Sequence, residues 1–263
     1  MKDFLLKFKA KHSPYNDEVY YYDDCIVFKN GIIQDNDANY LLQMGEFDLA
    51  KFESVLDKHE IKSYLIELKD DKYVDKMIGY TLTDETSWFA IKDISKIKVR
   101  SVDSFEMIKV KTLKEFEIAK QISIEGFLTE DPTNPYEAYD DEGYCNILKR
   151  KIQTQKDEIS RWFIFKNKST GEHIAGVDLA IAANVCYVSG FTILPKYRGT
   201  KAFLVIYRIL NYLKNEKVRT IFCTTKMGGY PERLYENLGF EKIFTIKQFT
   251  KNLISQNQNN QNF

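Results

Sequence analysis

Several features that would mark a membrane or secreted protein are missing from this sequence. None of its apolar runs approaches the roughly 18 to 20 residues needed to cross a bilayer. The opening residues 1–7 lack the apolar stretch of a signal peptide. These absences predict a cytoplasmic protein that does not associate with a membrane.

The sequence also lacks an excess of charge of either sign. Its 38 basic and 38 acidic residues cancel, so no overall electric field would attract nucleic acid. We therefore expect no nucleic-acid partner. The apolar content of 44% is that of a folded protein, and 263 residues can bury one large core or two ordinary ones.

Cysteine and histidine are scarce and dispersed. The cysteines show no paired spacing suited to zinc, and we interpret them as reduced thiols. They are Cys25, Cys145, Cys186 and Cys223. The three histidines stand far apart in polar contexts, so the sequence predicts no metal site.

The most informative stretch is a strand, a basic turn and a helix. Residues 185–194 are apolar, β-branched and aromatic, which predicts a strand. Residues 202–218 carry apolar residues three and four apart, which predicts a helix with one buried face. The turn between them brings unpaired backbone N–H groups and the positive end of the helix to one place. With the charges of Arg198 and Lys201, it predicts a phosphate-binding turn.

Two motifs then resemble the GNAT superfamily of N-acetyltransferases. The first comprises Ile193, Pro195, Tyr197, Arg198 and Gly199. The second comprises Leu234, Tyr235, Leu238, Gly239 and Phe240. On these motifs, residues 105–251 resemble that superfamily. The resemblance implies an α/β fold with a mixed, mostly antiparallel, twisted sheet flanked by helices, and transfer of an acetyl group from acetyl-CoA to a primary amine.

The resemblance also implies where the co-substrate acetyl-CoA binds. A strand bulge near residues 189–190 would expose N–H groups that polarise the thioester. The implied binding residues are Phe191, Thr192, Ile193, Arg198, Gly199, Thr200, Lys201, Ala202 and Phe203. Tyr235 would be the general acid, because a phenol with a pKa of about 10 stays protonated while a thiol of about 8.5 leaves. Tyr235 lies about 100° around its helix from Leu234, which predicts that the phenol points away from the deepest packing. The alternative for Tyr235 is a tyrosine of the core.

Three residues depart from the family pattern. Lys201 and Phe203 stand where the family turn has small residues, and Gly229 stands where the family tends to have asparagine. A side chain at the small positions can block the close approach that glycine permits. These departures favour an alternative function, a catalytically inactive GNAT-fold binding or regulatory module.

The acceptor amine must lose a proton, and its binding site is expected near acidic residues. Asp178 and Glu130 are the candidates for accepting that proton. Glu130 and Asp131 open an acidic, tyrosine-containing segment that would attract a cationic amine, or would form a solvated face. The identity of the small-molecule or peptide acceptor is open, and a homodimer is compatible with the sequence.

The chain divides into three predicted parts. Residues 1–104 form a degenerate GNAT-like domain, residues 105–251 the acetyltransferase domain, and residues 252–263 a disordered polar tail. The first part repeats the order strand, helix, strand, short helix, strand, with Gly79 aligned to Gly239. It has no Tyr-Arg-Gly turn and carries Asp75 in the place of Tyr235, so we expect it to bind no CoA. The alternative is an unrelated α/β domain.

Local patterns predict the individual elements. Strands are expected at 18–28, 40–44, 63–68, 105–111, 161–166, 173–183 and 220–225, and a strand or a hairpin is expected at 81–92. Helices are expected at 48–59, 72–78, 136–152 and 231–240, and a capping box at Thr112 and Glu115 opens a further helix.

Overall fold

The computed structural model describes residues 1–13, 17–31, 38–127, 143, 146, 149 and 159–251. The chain divides into two compact units. The larger unit comprises Met1–Asn16 and Ser87–Phe244, and the smaller unit comprises Asp17–Thr86 and Thr245–Phe263. The predicted tail at 252–263 and the predicted helix at 136–152, apart from positions 143, 146 and 149, lie outside the described residues.

The helices and strands follow one another along the chain. In order they are α1 (Lys2–His12), β1 (Glu18–Tyr21), β2 (Cys25–Lys29), β3 (Tyr40–Gln43), α2 (Leu49–Lys58), β4 (Leu65–Leu68), β5 (Tyr80–Ile91), β6 (Phe105–Lys109), α3 (Leu113–Gly126), β7 (Ser160–Asn167), β8 (His173–Ala182), β9 (Val185–Ile193), α4 (Thr200–Asn215), β10 (Thr220–Lys226), α5 (Tyr230–Asn237) and β11 (Glu241–Lys251). Short 3₁₀ turns lie at Asp71–Lys76, Ile94–Lys96 and Pro195–Tyr197.

Each unit contains a mixed, mostly antiparallel sheet, as predicted. The larger unit also contains α1, α3, α4 and α5, and the smaller unit contains α2. The strand order in the smaller unit is β1-β2-β3-β4-β11-β5, and in the larger unit it is β11-β5-β10-β9-β8-β7-β6. Strands β5 and β11 contribute residues to both units. The parallel pairs are β3 with β4 and β9 with β10. Each is joined through a helix, as a parallel connection requires.

Helices α3 and α4 cover opposite faces of the sheet of the larger unit. Gly176 and Thr192 are paired across β8 and β9, and both lie against α3. Ser189 pairs with Asp178, which is on the same face of β8 as Gly176. Its neighbour Val188 therefore has the opposite orientation, because adjacent side chains alternate along a strand. It packs with the apolar face of α4. The end of β9 therefore has α3 on one face of the sheet and α4 on the other.

The predicted repeat is confirmed in the local geometry of the two β-α-β segments. Gly79 and Gly239 have φ values of 82° and 85°, so each begins its following strand from the left-handed region. The helices α2 and α4 also end alike. Each is followed by a left-handed residue, Glu60 with φ 58° and Lys217 with φ 59°. In both, the next N–H donates to a carbonyl five residues earlier, at 3.1 and 3.0 Å, which is the Schellman termination.

Three expectations about the first hundred residues need correction. The strand predicted at 18–28 is a hairpin of β1 and β2, because the chain turns back between Tyr22 and Cys25 with a 2.9 Å hydrogen bond. The short helix predicted at 72–78 is a 3₁₀ turn. The compact units also differ from the predicted boundary between residues 104 and 105, since β5 already contributes to the larger unit from Ser87 onward.

Helix α1 had no counterpart in the sequence-based prediction. Its Leu5, Leu6 and Phe8 are buried, and the Phe8 ring meets the ring of Phe222 on β10 edge-on at 5.6 Å. Trp88 stacks on the same Phe222 at 5.8 Å. This contact attaches the first residues to the larger unit, although they are far from it in sequence.

The predicted capping box of α3 is confirmed. The Thr112 hydroxyl accepts from the Glu115 N–H at 3.3 Å, and the Glu115 carboxylate accepts from the Thr112 N–H at 2.9 Å. Replacing Thr112 with alanine removes one partner of an N–H group that the helix itself cannot satisfy.

We expect Thr112→Ala to lower the free energy of unfolding by about 1 kcal/mol. Urea denaturation of the full chain measures this change. Thr112→Ser keeps the hydroxyl and is the matched control, with little expected loss. Equal losses in the two variants would mean that the capping hydrogen bond is not the stabilising interaction.

Candidate functional site

The candidate site begins where β9 separates from β10. Their parallel pairing ends at Val188 and Cys223, so within the described chain β9 continues to Ile193 without a ladder partner on that side. On the other side the register with β8 shifts, because Ser189 to Thr192 spans one residue more than the opposing segment of β8. Gly190 lies in this bulge with φ 55°. The bulge predicted near 189–190 is confirmed.

Beyond β9 the chain reaches the open N-terminus of α4. Gly199 is the N-cap residue, with φ 80° and no side chain to cap the first N–H groups. A Cβ added there would meet no atom within 4 Å. The first N–H groups of a helix have no partner inside the helix. Together with the helix dipole they form a place where an anion can be held.

The two large residues of the turn leave this space open. The Lys201 ammonium lies over the Tyr197 ring, 4.5 Å from its centroid. Phe203 is half-buried and packs against the core of the larger unit. Ala202 between them is fully buried. The side chains of Lys201 and Phe203, which replace the small residues of the family pattern, therefore lie beside the helix and leave the space in front of its N-terminus open.

Arg198 braces the turn. Its guanidinium donates to the carbonyl of Gly126 at 2.8 Å, and its Nε donates to the carbonyl of Ile193 at 3.3 Å. Gly126 is the last residue of α3, where carbonyl groups lack helical partners. Its place against the methyl group of Thr192 leaves no room for a Cβ. Arg198 thus joins the end of α3 to the end of β9.

A second set of contacts holds the turn from its other side. The hydroxyl of Tyr197 and the ammonium of Lys196 both donate to the carboxylate of Glu172, the latter at 3.0 Å. These donors lower the pKa of Glu172 to about 2. The same carboxylate raises the pKa of the Tyr197 hydroxyl.

Tyr235 is more deeply packed than its helical position predicted. The sequence placed it about 100° around α5 from Leu234, away from the deepest packing, yet it is only 8% exposed. Its ring lies 5.9 Å from that of Phe89 and 5.3 Å from that of Phe240. Its hydroxyl hydrogen-bonds the thiol of Cys223. The expected orientation was wrong because β5 and β10 cover this side of α5 as well.

The tyrosine nevertheless lines a narrow apolar cavity at the separation of the strands. Val188 and Phe191 of β9, Cys223 of β10 and Tyr235 form part of its wall, and the apolar face of α4 forms another part. Burial raises the pKa of the Cys223 thiol, and the hydrogen bond with Tyr235 opposes this only partly. Cys223 therefore stays a protonated, uncharged wall of the cavity.

Asp178, a candidate for the acceptor region, lies on β8 with both oxygens engaged. It accepts from the Ser189 hydroxyl at 2.8 Å and from the Ser160 hydroxyl at 2.9 Å, and it is 1% exposed. No local pattern in the sequence points to these serine partners. The other two candidates, Glu130 and Asp131, lie outside the described residues.

The corresponding helix end in the smaller unit is closed to anions. The Asp48 carboxylate caps α2 by accepting from the Lys51 N–H at 3.1 Å. Asp24 and Glu46 line the same cleft, and Asp24 forms an ion pair with Lys51. An anion would meet carboxylates where α4 presents free N–H groups. Only the larger unit therefore combines strand separation with an open helix end among the described residues.

The architecture of the chain is similar to that of several solved structures. A GCN5-related N-acetyltransferase from Kribbella flavida matches with a TM-score of 0.62 and 15% identity, covering 94% of each chain. A tandem GNAT protein from the clavulanic acid biosynthesis pathway matches with a TM-score of 0.56 and 10% identity, covering 86% of this chain and 78% of that one. The chain has a tandem GNAT fold.

The other comparisons support the same fold and indicate no function. A conserved protein of unknown function from Staphylococcus epidermidis matches the GNAT fold of this chain with a TM-score of 0.64 and 11% identity, covering 90% of this chain and 94% of that one. No protein-family model and no curated protein sequence matches the chain. In the part of the chain that the structure describes, no helix is long and apolar enough to span a bilayer. In the same part, no group of three or more potential ligands could hold a metal ion.

The contacts of Glu172 predict a pH dependence for the stability of the turn. The pKa of Glu172 in the folded protein, about 2, lies below its ordinary value of 4.5. The contribution of the Glu172 carboxylate to folding stability is therefore present above pH 4.5 and is lost as the pH falls toward 2. We expect the stability difference between the wild type and Glu172→Gln to shrink over this window, measured by urea denaturation at each pH.

Glu117→Gln is the control for that series, since Glu117 is an exposed residue of α3. Its difference from the wild type should stay constant over the same pH range. A Glu172→Gln difference that does not change between pH 4.5 and 2 would contradict the assigned contacts.

Proposed function

We propose that the larger unit is an acetyl-CoA-dependent N-acetyltransferase that moves an acetyl group to a primary amine. One observation carries the proposal: β9 separates from β10 beside an open helix N-terminus, and a tyrosine lines the cavity at that separation. The neighbours described as acetyltransferases support the same kind of reaction. The acceptor and the acyl group are open to experiment.

The diphosphate of CoA would be held mainly by the backbone. The N–H groups of Gly199, Thr200 and Lys201 and the ammonium of Lys201 would supply the positive potential. Arg198, which the sequence predicts to bind phosphate, donates hydrogen bonds to the carbonyls of Gly126 and Ile193 and so keeps the turn in place. This arrangement fits a phosphate ligand, since the space at Gly199 is open.

The reacting end of the thioester would meet the open side of β9. Residues 189–193 have no ladder partner toward β10, so backbone N–H groups on this side are available to polarise a carbonyl oxygen. A fixed donor of this kind contributes about 3 kcal/mol in comparable sites. As the acceptor nitrogen bonds to the carbonyl carbon and the carbon–sulfur bond breaks, the Tyr235 hydroxyl would give its proton to the departing sulfur.

The second candidate is a GNAT-fold module that binds but does not catalyse. Two observations favour it. The Arg198 guanidinium already donates a hydrogen bond to a backbone carbonyl, and the Tyr235 hydroxyl is already hydrogen-bonded to the Cys223 thiol. Both candidates predict acetyl-CoA binding, and only the first predicts turnover. Release of free CoA in the presence of a primary amine therefore separates them.

We expect titration calorimetry with acetyl-CoA to show one site per chain, because the α2 terminus is closed by Asp48. Lys201→Glu should weaken binding about tenfold, or about 1.4 kcal/mol, since it places a carboxylate beside the phosphates. Lys7→Glu, an equal change of charge on an exposed residue of α1, should leave the affinity unchanged. An absence of binding heat at millimolar acetyl-CoA would refute the proposal, and two sites per chain would refute the closure of α2.

The role of Tyr235 is tested by Tyr235→Phe, which removes only the hydroxyl. If that hydroxyl protonates the leaving sulfur, kcat should fall by about 10²- to 10⁴-fold with little change in CoA affinity. Tyr230→Phe, at the exposed start of the same helix, should not change kcat. A Tyr235→Phe enzyme that keeps more than about a third of kcat, with chemistry rate-limiting, would exclude Tyr235 as the acid.

A further inference from the structure

A buried carboxylate and a strand serine lie beside the separation of β9 from β10. Asp178 and Ser189 are directly paired across β8 and β9, and the Ser189 hydroxyl donates to Asp178 Oδ2 at 2.8 Å. The other oxygen, Oδ1, accepts from Ser160 at 2.9 Å. The orientation of the carboxylate is therefore fixed from two sides.

The two residues differ in access to the surface. Asp178 is 1% exposed, while Ser189 is 7% exposed and precedes the exposed Gly190 of the bulge. Ser189 is also the first residue of β9 beyond the end of the pairing with β10. Of the two residues, Ser189 is therefore the one nearer to the surface.

Ser189 and Tyr235 lie on opposite faces of the opening. Ser189 shares the α3 face of the sheet with Asp178 and Gly176, because all three are in register on β8 and β9. Tyr235 lines the cavity on the α4 face. A reaction in the opening between β9 and β10 would thus have a proton donor on one side and a proton acceptor on the other.

We propose that Ser189 and Asp178 form a proton relay that takes the proton from the ammonium of the acceptor. The inference rests on the proposed acetyl transfer and adds the step that makes the amine a nucleophile. A serine hydroxyl accepts and donates at once. The ammonium proton passes to Ser189 Oγ as the original hydroxyl proton passes to Asp178 Oδ2, leaving a neutral amine, a serine hydroxyl and a carboxylic acid.

The relay predicts an effect that depends on the basicity of the amine. A lysine-like amine with a pKa of about 10.4 is almost entirely protonated at pH 7 and needs the relay. An amine that is already neutral at pH 7 does not need it. A merely structural role for the hydrogen bonds would slow both reactions alike.

The experiment measures thiol release from acetyl-CoA at pH 7 with two small probes, ethylamine and the weakly basic 2,2,2-trifluoroethylamine. We expect Ser189→Ala and Asp178→Asn to slow the ethylamine reaction by about 10²- to 10⁴-fold. The trifluoroethylamine reaction and the KM for acetyl-CoA should change by less than about threefold. Ser189→Thr restores a hydroxyl and should recover the ethylamine rate.

Ser160→Ala is the matched control, since it removes an equivalent hydrogen bond from the other oxygen of the same carboxylate. It should not discriminate between the two amines. Asp178→Asn gives a separate reading should Ser189→Ala fail to fold, because its amide still accepts from a hydroxyl but takes up no proton at pH 7.

Two results would overturn the relay. A wild type that turns over ethylamine, with relay variants that slow both amines equally or neither, contradicts the relay and leaves the acetyl transfer standing. A wild type that binds acetyl-CoA but releases no thiol with either amine contradicts the proposed transfer, and the relay with it.

Discussion

The separation of β9 from β10 is the constraint on which the candidate site depends. Pairing stops at Val188 and Cys223, and the bulge at Gly190 turns the remainder of β9 away while it stays bonded to β8. Strand backbone must have partners, so an opened ladder in the middle of a sheet is expensive. The opening leaves backbone groups of β9, a helix N-terminus and the Tyr235 cavity within one region of the larger unit.

The two units share the same strand-helix-strand connection but differ in the charge at the start of its helix. Both join parallel strands through a helix that ends in the same left-handed turn. At the start of the helix they diverge: α4 begins at Gly199, which offers no side chain, whereas α2 begins at Asp48, whose carboxylate satisfies its own helix. A capping carboxylate stabilises a helix and repels an anion by the same charge. The connection is present in both units, whereas the uncapped helix end is found at α4 and not at α2.

Several polar groups near the site hold the structure in place. Arg198 ties the end of α3 to β9, Glu172 collects donors from the turn, and Asp178 joins serines of β7 and β9. Each of these groups bridges elements that are distant in sequence. The geometry of the opening between β9 and β10 is therefore set by the side-chain hydrogen bonds around it. Removing any of these hydrogen bonds would change that geometry.

The sequence by itself determined the elements whose physics is local. The capping box of α3 and the left-handed turns at Gly79 and Gly239 follow from residue type and spacing, because a cap or a positive φ depends on a few adjacent residues. The bulge near Gly190 was implied by the family resemblance and placed by the glycine. The order of strands and helices from β6 to α5 in the larger unit, and the repeat in the smaller one, were predictable for the same reason.

Only the tertiary structure decided where the long side chains point and which distant residues meet. The direction of Arg198 toward Gly126, the burial of Tyr235 against Phe89 and the pairing of Asp178 with Ser189 each join parts of the chain that no local pattern connects. The attachment of α1 to the larger unit through Phe8 is of the same kind. Such contacts are chosen by packing across the whole unit, where many side chains compete for the same space.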